Sequence, residues 1–230
     1  MSCLKMVLPV IVCATALLQN AYGDVIVYNY STPTHGANLP EGFYPFDYYS
    51  ANEPAGNEIT LAGTDRYITG FDLILSSVSS TGPTILSSLT LKFYQNDGVD
   101  AYDNPGAPGD VIPSLTTTLT NLSVEGITTV HFAFAPTLMP DDFTWVAVAD
   151  SSNAGLATCS KTVGTCPDYY WDFYNAADQW YALYFDGDPP ATFGAVVYAV
   201  PEPMTISLLA VGGGLLVLKR NRRGRMTNVE

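Results

Sequence analysis

Five oxygen-bearing side chains, Asn96, Asp97, Asp100, Asp103 and Asp110, fall on a run punctuated by Gly98, Pro105, Gly106, Pro108 and Gly109. Calcium takes about six to eight hard oxygen ligands, which acidic side chains on a turn-rich loop can supply, so this stretch is a candidate cation site. Its register is not that of an EF-hand, because Gly98 comes too early and no glutamate closes the loop. The competing reading is a solvated connection in which Asn96-Asp97-Gly98 makes the turn and the prolines stiffen it. No other cofactor is called for.

A second chemistry is carried by aromatics, which crowd between Tyr169 and Phe185. Alternate residues of a strand face opposite ways, so some of these rings must point outward. Tyr170, Trp171, Trp180 and Tyr181 are candidates for a platform on which sugar rings stack, with the polar edges of Tyr and Trp adding hydrogen bonds. The plainer alternative is that they fill a core and cover its open end. A third group is the pair Cys159 and Cys166, which an oxidising compartment would join. A ring of that size is worth about 2.5 kcal/mol in the loop-entropy picture. Free thiols or a metal site are the alternatives, and two cysteines without a nearby histidine fall short of the four ligands zinc usually takes.

Enzymatic motifs are sparse. The histidines are His35 and His131, and neither Gly-x-Ser-x-Gly nor His-Glu-x-x-His occurs. A glycoside hydrolase needs only two carboxylates across a cleft, but a strongly acidic chain always contains some pair, so abundance is no argument. The expectation is a non-enzyme, with glycoside hydrolysis as the enzymatic alternative.

These residues must be positioned by strands. Leu89, Leu91 and Phe93 alternate with Thr90, Lys92 and Tyr94; Val130, Phe132 and Phe134 flank an oppositely directed His131; Phe71, Leu73 and Leu75 repeat the pattern. Period two marks half-buried strands. Trp145 to Val148 reads as a run buried on both faces, and Val25 to Tyr30, Leu115 to Leu119 and Phe193 to Ala199 are further candidates. Short β-branched and aromatic runs separated by Gly, Pro, Asn, Asp and Ser predict an all-β, antiparallel β-sandwich of jelly-roll type. It would occupy residues 24–199, long enough for one hydrophobic core.

Charge is lopsided. Of the 22 acidic residues all but Glu202 and Glu230 lie between Asp24 and Val200, against Arg66, Lys92 and Lys161 as the bases of that span, a net of about −17. Such a field repels phosphate backbones and excludes nucleic acid as a partner.

The ends carry addresses. Lys5, the apolar run Met6 to Leu18 and the small-x-small triplet Ala21-Tyr22-Gly23 predict a signal peptide over 1–23, cleaved before Asp24. At the other end, residues 200–230 hold Pro201-Glu202-Pro203, an apolar segment at 204–218, and a basic run of Lys219, Arg220, Arg222, Arg223 and Arg225. As a helix, Thr205 to Leu218 would reach roughly 21 Å at about 1.5 Å per residue, short for a hydrocarbon core of about 30 Å. Gly212-Gly213-Gly214 would let a second helix approach closely, and the cations would hold the end in the cytoplasm as a stop-transfer element. The expectation is a single transmembrane helix.

This tail resembles the PEP-CTERM sorting signal. The resemblance implies an exosortase-type processing enzyme as partner, with Pro201, Glu202 and Pro203 as the recognition element. It also implies export, anchoring in the membrane through the C-terminal helix, and release to the cell surface or extracellular matrix, where polysaccharide is a candidate ligand. Gly56-Asn57-Glu58-Ile59-Thr60-Leu61-Ala62-Gly63-Thr64-Asp65-Arg66, Phe93-Tyr94-Gln95-Asn96-Asp97-Gly98, Pro105-Gly106, Pro140-Asp141-Asp142-Phe143-Thr144-Trp145, Val163-Gly164 and Asp168-Tyr169-Tyr170-Trp171 are similar, in that order, to a recurrent extracellular domain found ahead of such tails in planctomycete-type bacteria. That likeness carries no activity with it.

Overall fold

Alternation decides the strands. Along 84–94, Leu86, Leu89, Leu91 and Phe93 are fully buried while Thr90 and Lys92 turn the other way. A strand so patterned offers one apolar face to a core and leaves the other for a second surface. The computed structural model describes residues 24–34, 43–46, 52–77, 82–151, 153–185 and 191–201.

The first eight strands in chain order are β1 (Val25–Tyr30), β2 (Thr32–Pro33), β3 (Phe43–Pro45), β4 (Ala55–Thr60), β5 (Tyr67–Ser77), β6 (Thr84–Tyr94), β7 (Gly98–Val99) and β8 (Pro105–Ala107). A single 3-10 turn, Pro113–Leu115, precedes β9 (Thr117–Val124), β10 (Ile127–Leu138), β11 (Asp142–Ala149), β12 (Ala154–Ala157) and β13 (Cys159–Ser160). The last three are β14 (Tyr170–Tyr174), β15 (Gln179–Leu183) and β16 (Ala195–Val200). One sheet runs β1-β16-β5-β12-β3, with β10 also paired to β5; the other runs β15-β14-β4-β11-β6-β9. Both are antiparallel throughout.

The sheets bury their inner faces against each other. Phe71 of β5 meets Phe93 of β6 edge-on with centroids 5.3 Å apart, and Trp145 of β11 at 5.4 Å. Such edge-to-face contacts are worth about 0.5–1.5 kcal/mol each beyond area burial. Asn57 stitches the core to the chain around it. Its amide donates to the carbonyls of Tyr169 (2.8 Å) and Ala191 (2.9 Å), and its oxygen accepts the Phe193 N–H at 2.6 Å, so a fully buried polar side chain is satisfied.

The second sheet is pinched at β4. Gly56 lies opposite both Val146 of β11 and Trp171 of β14. A Cβ there would stand 1.9 Å from the Trp145 carbonyl oxygen, so only glycine fits.

Several expectations are corrected. The two sheets are open and six-stranded, and the expected fold fails in its transmembrane helix. Among the described residues no helix is long and apolar enough to cross a membrane; the one helical element is the three-residue turn at Pro113. The expected transmembrane helix at 204–218, with its basic run Lys219, Arg220, Arg222, Arg223 and Arg225, lies outside the described residues, as do Ala21 and Gly23 of the cleavage site, Glu202 and Pro203. The transmembrane helix, membrane partnership and membrane-anchored localisation drawn from that tail are therefore withdrawn.

The disulfide is corrected too: Cys159 and Cys166 are free. The residues between them do not fold back on themselves. Val163 bridges to Asn29 and Thr165 to Thr60, so the segment runs out across two other strands. Cys159 packs in the core, where a Cβ on Gly194 would stand 2.5 Å from its sulfur. Cys166 meets the Tyr28 hydroxyl, which has no oxygen or nitrogen partner. Burial pushes both thiols up to about 12, so neither is a thiolate near neutral pH.

Candidate functional site

The outer face of the second sheet is not bare. β6, β11, β14 and β15 raise Tyr94, Val146, Trp171 and Trp180 on that side, and these four are buried together with Ala107 of β8. Tyr94 meets Trp180 edge-on at 5.4 Å, and Phe173 meets it at 4.8 Å. Burial raises the Tyr94 phenol above its ordinary value.

What covers this cluster is the acidic loop. β7 and β8 form a small ribbon, the Gln95 N–H donates to the Asp110 carbonyl, and the Ala101 N–H donates to the Trp180 carbonyl at 2.9 Å. Three of the candidate cation ligands, Asn96, Asp97 and Asp100, use their side chains in building it, and Asp110 takes part through its backbone. Asp100 accepts from the backbone N–H of Tyr102 (2.8 Å) and Asn104 (2.9 Å) and from the Asn104 amide (3.0 Å). The Asn104 side-chain bond is the main cause holding its carboxyl below the usual range. Asp97 accepts the Asp110 N–H at 2.9 Å, and Asn96 accepts from Thr144 at 2.8 Å. Asp103 is exposed, with a positive φ of 62° at the turn. Among the described residues no three His, Cys, Asp or Glu side chains converge as a metal site.

Beside the covered cluster a groove of about 390 Å³ opens, lined by Asn52, Pro54, Lys92, Tyr94, Val148, Phe173, Asn175 and Trp180. Small-molecule sites typically span about 300–1,000 Å³ and combine apolar walls with a few placed polar groups. Its origin is topological. β4 begins at Ala55, opposite Ala147, so Val148 has no β4 partner and the floor between β11 and β14 is left open. The chain arrives over this gap through Asn52, at a φ of 65° that asparagine tolerates. The Pro54 carbonyl accepts the Phe173 N–H at 3.0 Å and fixes the rim.

The structure divides the predicted platform. Tyr170 points inward, packed against Tyr44 (4.8 Å) and Phe193 (5.3 Å) in the core. Trp171 lies in the covered cluster, Trp180 lines the groove, and Tyr181 sits apart between Tyr102 (6.0 Å) and Tyr174 (6.5 Å). Lys92, Tyr94, Asn52, Asn175 and Phe173 were not in the predicted set. The available signal was Lys92, one of three bases in a very acidic span, followed at the same face by Tyr94.

Two further polar groups stand elsewhere. On the other sheet His131 Nδ1 lies 2.6 Å from Asp72, its direct register partner, whose second oxygen accepts the Tyr198 hydroxyl at 2.7 Å. Next in sequence to the groove residues Phe173 and Pro54, Asp172 and Glu53 are buried. Asp172 Oδ1 has no hydrogen-bond partner. Burial, then the Glu53 charge, pushes the Asp172 carboxyl up to about 7, against a smaller lowering by a Tyr44 hydrogen bond.

Comparison with known protein families, with curated proteins and with solved structures found no match.

The Asp172 environment sets a pH dependence. Unfolded, the carboxyl loses its proton near 3.9, whereas folded it keeps it to about 7. The folded state thus holds the extra proton between those values, and stability falls as pH rises from about 4 to 7, then levels. Asp172→Asn should flatten that slope and raise the midpoint of thermal unfolding at pH 8 by about 2–4 °C, the equivalent of about 1 kcal/mol for a domain of this size. Unfolding scans from pH 4 to 8 measure it; an unchanged slope in the variant would refute the assignment.

Proposed function

We propose that the folded domain is a non-enzymatic binding module for extracellular polysaccharide, with the outer-face groove as its site. The observation that carries this reading is the lining itself: half-buried Phe173 supplies π-surface, the edges of the buried Tyr94 and Trp180 complete the wall, and the exposed Asn52 and Asn175 supply amides that both donate and accept. Pyranose rings present apolar C–H faces and equatorial hydroxyls, the two features such a wall meets. Among the described residues that line the groove none is a carboxylate, which speaks for binding over the two-carboxylate chemistry of glycoside hydrolysis.

Phe173 and Asn175 are the residues to vary, because they stand at the groove and are more exposed than Trp180. Phe173→Ala and Asn175→Ala should each weaken retention on native extracellular polysaccharide, the first by about tenfold for the loss of one stacking partner. Affinity electrophoresis reads the retention, with circular dichroism confirming the fold. Unchanged retention in both variants would dismiss the groove as the site.

A second reading concerns processing. Val200 is the last paired residue of β16, opposite Tyr67, and Pro201 follows at once. A proline cannot donate to the ladder, so the sheet stops there. This supports Pro201, where the pairing of β16 stops, as the start of the Pro201-Glu202-Pro203 element that an exosortase-type enzyme would read. Replacing the three residues by alanines in a host that encodes an exosortase should abolish processing, seen as a longer C-terminus by intact mass spectrometry. A mature C-terminus identical to that of the parent chain would sink this reading.

A further inference from the structure

Lys92 stands out among the cations of the domain. It is half-buried on β6, facing outward between Thr90 and Tyr94 and opposite Val146. The ion pairs among the described residues are Arg66 with Asp141 and Asp72 with His131, and Lys92 is in neither. Lys161, also without an ion pair, is exposed to solvent. In a span with so large an excess of carboxylates, a half-buried lysine that makes no ion pair can lay its stem along the wall and keep its positive charge free for an anion brought by a ligand. The place where it stands is the groove, beside Tyr94, Phe173 and Trp180.

Resting on the polysaccharide reading above, we infer that the groove selects a sugar bearing a single carboxylate, a uronic acid residue set within an otherwise neutral chain. The pyranose ring would lie against the aromatic wall while its carboxylate accepts a charge-assisted hydrogen bond from the Lys92 ammonium, with Asn52 and Asn175 reaching the hydroxyls. One charge is favoured over many by the domain itself. Against one groove cation the domain carries a net of about −17, a field that repels any further anion on the chain.

The test uses the full domain chain and an array of matched oligosaccharides: neutral members, the same backbones with one glucuronate or galacturonate residue, the same backbones with one sulfate, and polyuronates. At about 0.15 M salt the mono-uronate members should be retained at least tenfold more tightly than their neutral partners. Lys92→Gln should reduce that preference to within twofold, and Lys161→Gln should leave it intact. Equal retention of neutral and mono-uronate members, or a preference for sulfated members or polyuronates, would overturn the inference while the polysaccharide reading stands. A preference that survives Lys92→Gln would overturn it as well. Retention of no member at all would overturn both.

Discussion

The close approach of backbone at Gly56 is the constraint on which the rest of the second sheet depends. A side chain there would run into the Trp145 carbonyl oxygen, so the glycine lets β4 sit between β11 and β14 and brings Val146 and Trp171 to either side of the same point. With no Cβ between them, these two build one apolar patch on the outer face. An exposed patch of that kind is costly in water, and the loop from Gln95 to Val111 answers it by laying Ala107 over the top and hydrogen-bonding Ala101 to the β15 edge.

The groove follows from where that cover stops. β4 begins one residue too late to pair with Val148, and Phe173 is left half-buried at the groove between Asn52 and Asn175. The acidic side chains of the loop are thus spent on its own turns: Asp97 and Asp100 accept backbone N–H groups that a ribbon this short leaves without strand partners. The groove and the loop that frames it are two consequences of one strand register.

The strands were legible because their alternation is local. Leu89, Leu91 and Phe93 point inward as period two requires, and β1 spans the Val25 to Tyr30 run read from its β-branched and aromatic residues. The aromatic stretch was legible as a set and not by face: Tyr170 and Trp171 are neighbours in sequence, and only their pairing to Leu183 and Ala182 decides that the first enters the core and the second the outer cluster. The groove was hidden for a stronger reason. Asn52, Lys92, Val148 and Asn175 come from four distant segments, joined by a strand order that no local pattern encodes. The cysteine pair suggested a closed ring from compartment and spacing alone, whereas Val163 and Thr165 between the two are used to bridge Asn29 and Thr60.

The central claim is that sugar occupies the groove, and the three indoles report on it independently. Trp180 lines the groove, Trp171 lies in the covered cluster and Trp145 is fully buried between the sheets. Titrating the ¹⁵N-labelled domain with soluble native polysaccharide and following the three indole N–H resonances is the most direct measurement. The account predicts a progressive shift of Trp180, a smaller one of Trp171 and none of Trp145. Saturating polysaccharide that moves no indole, or moves Trp145 while Trp180 stays fixed, would contradict it.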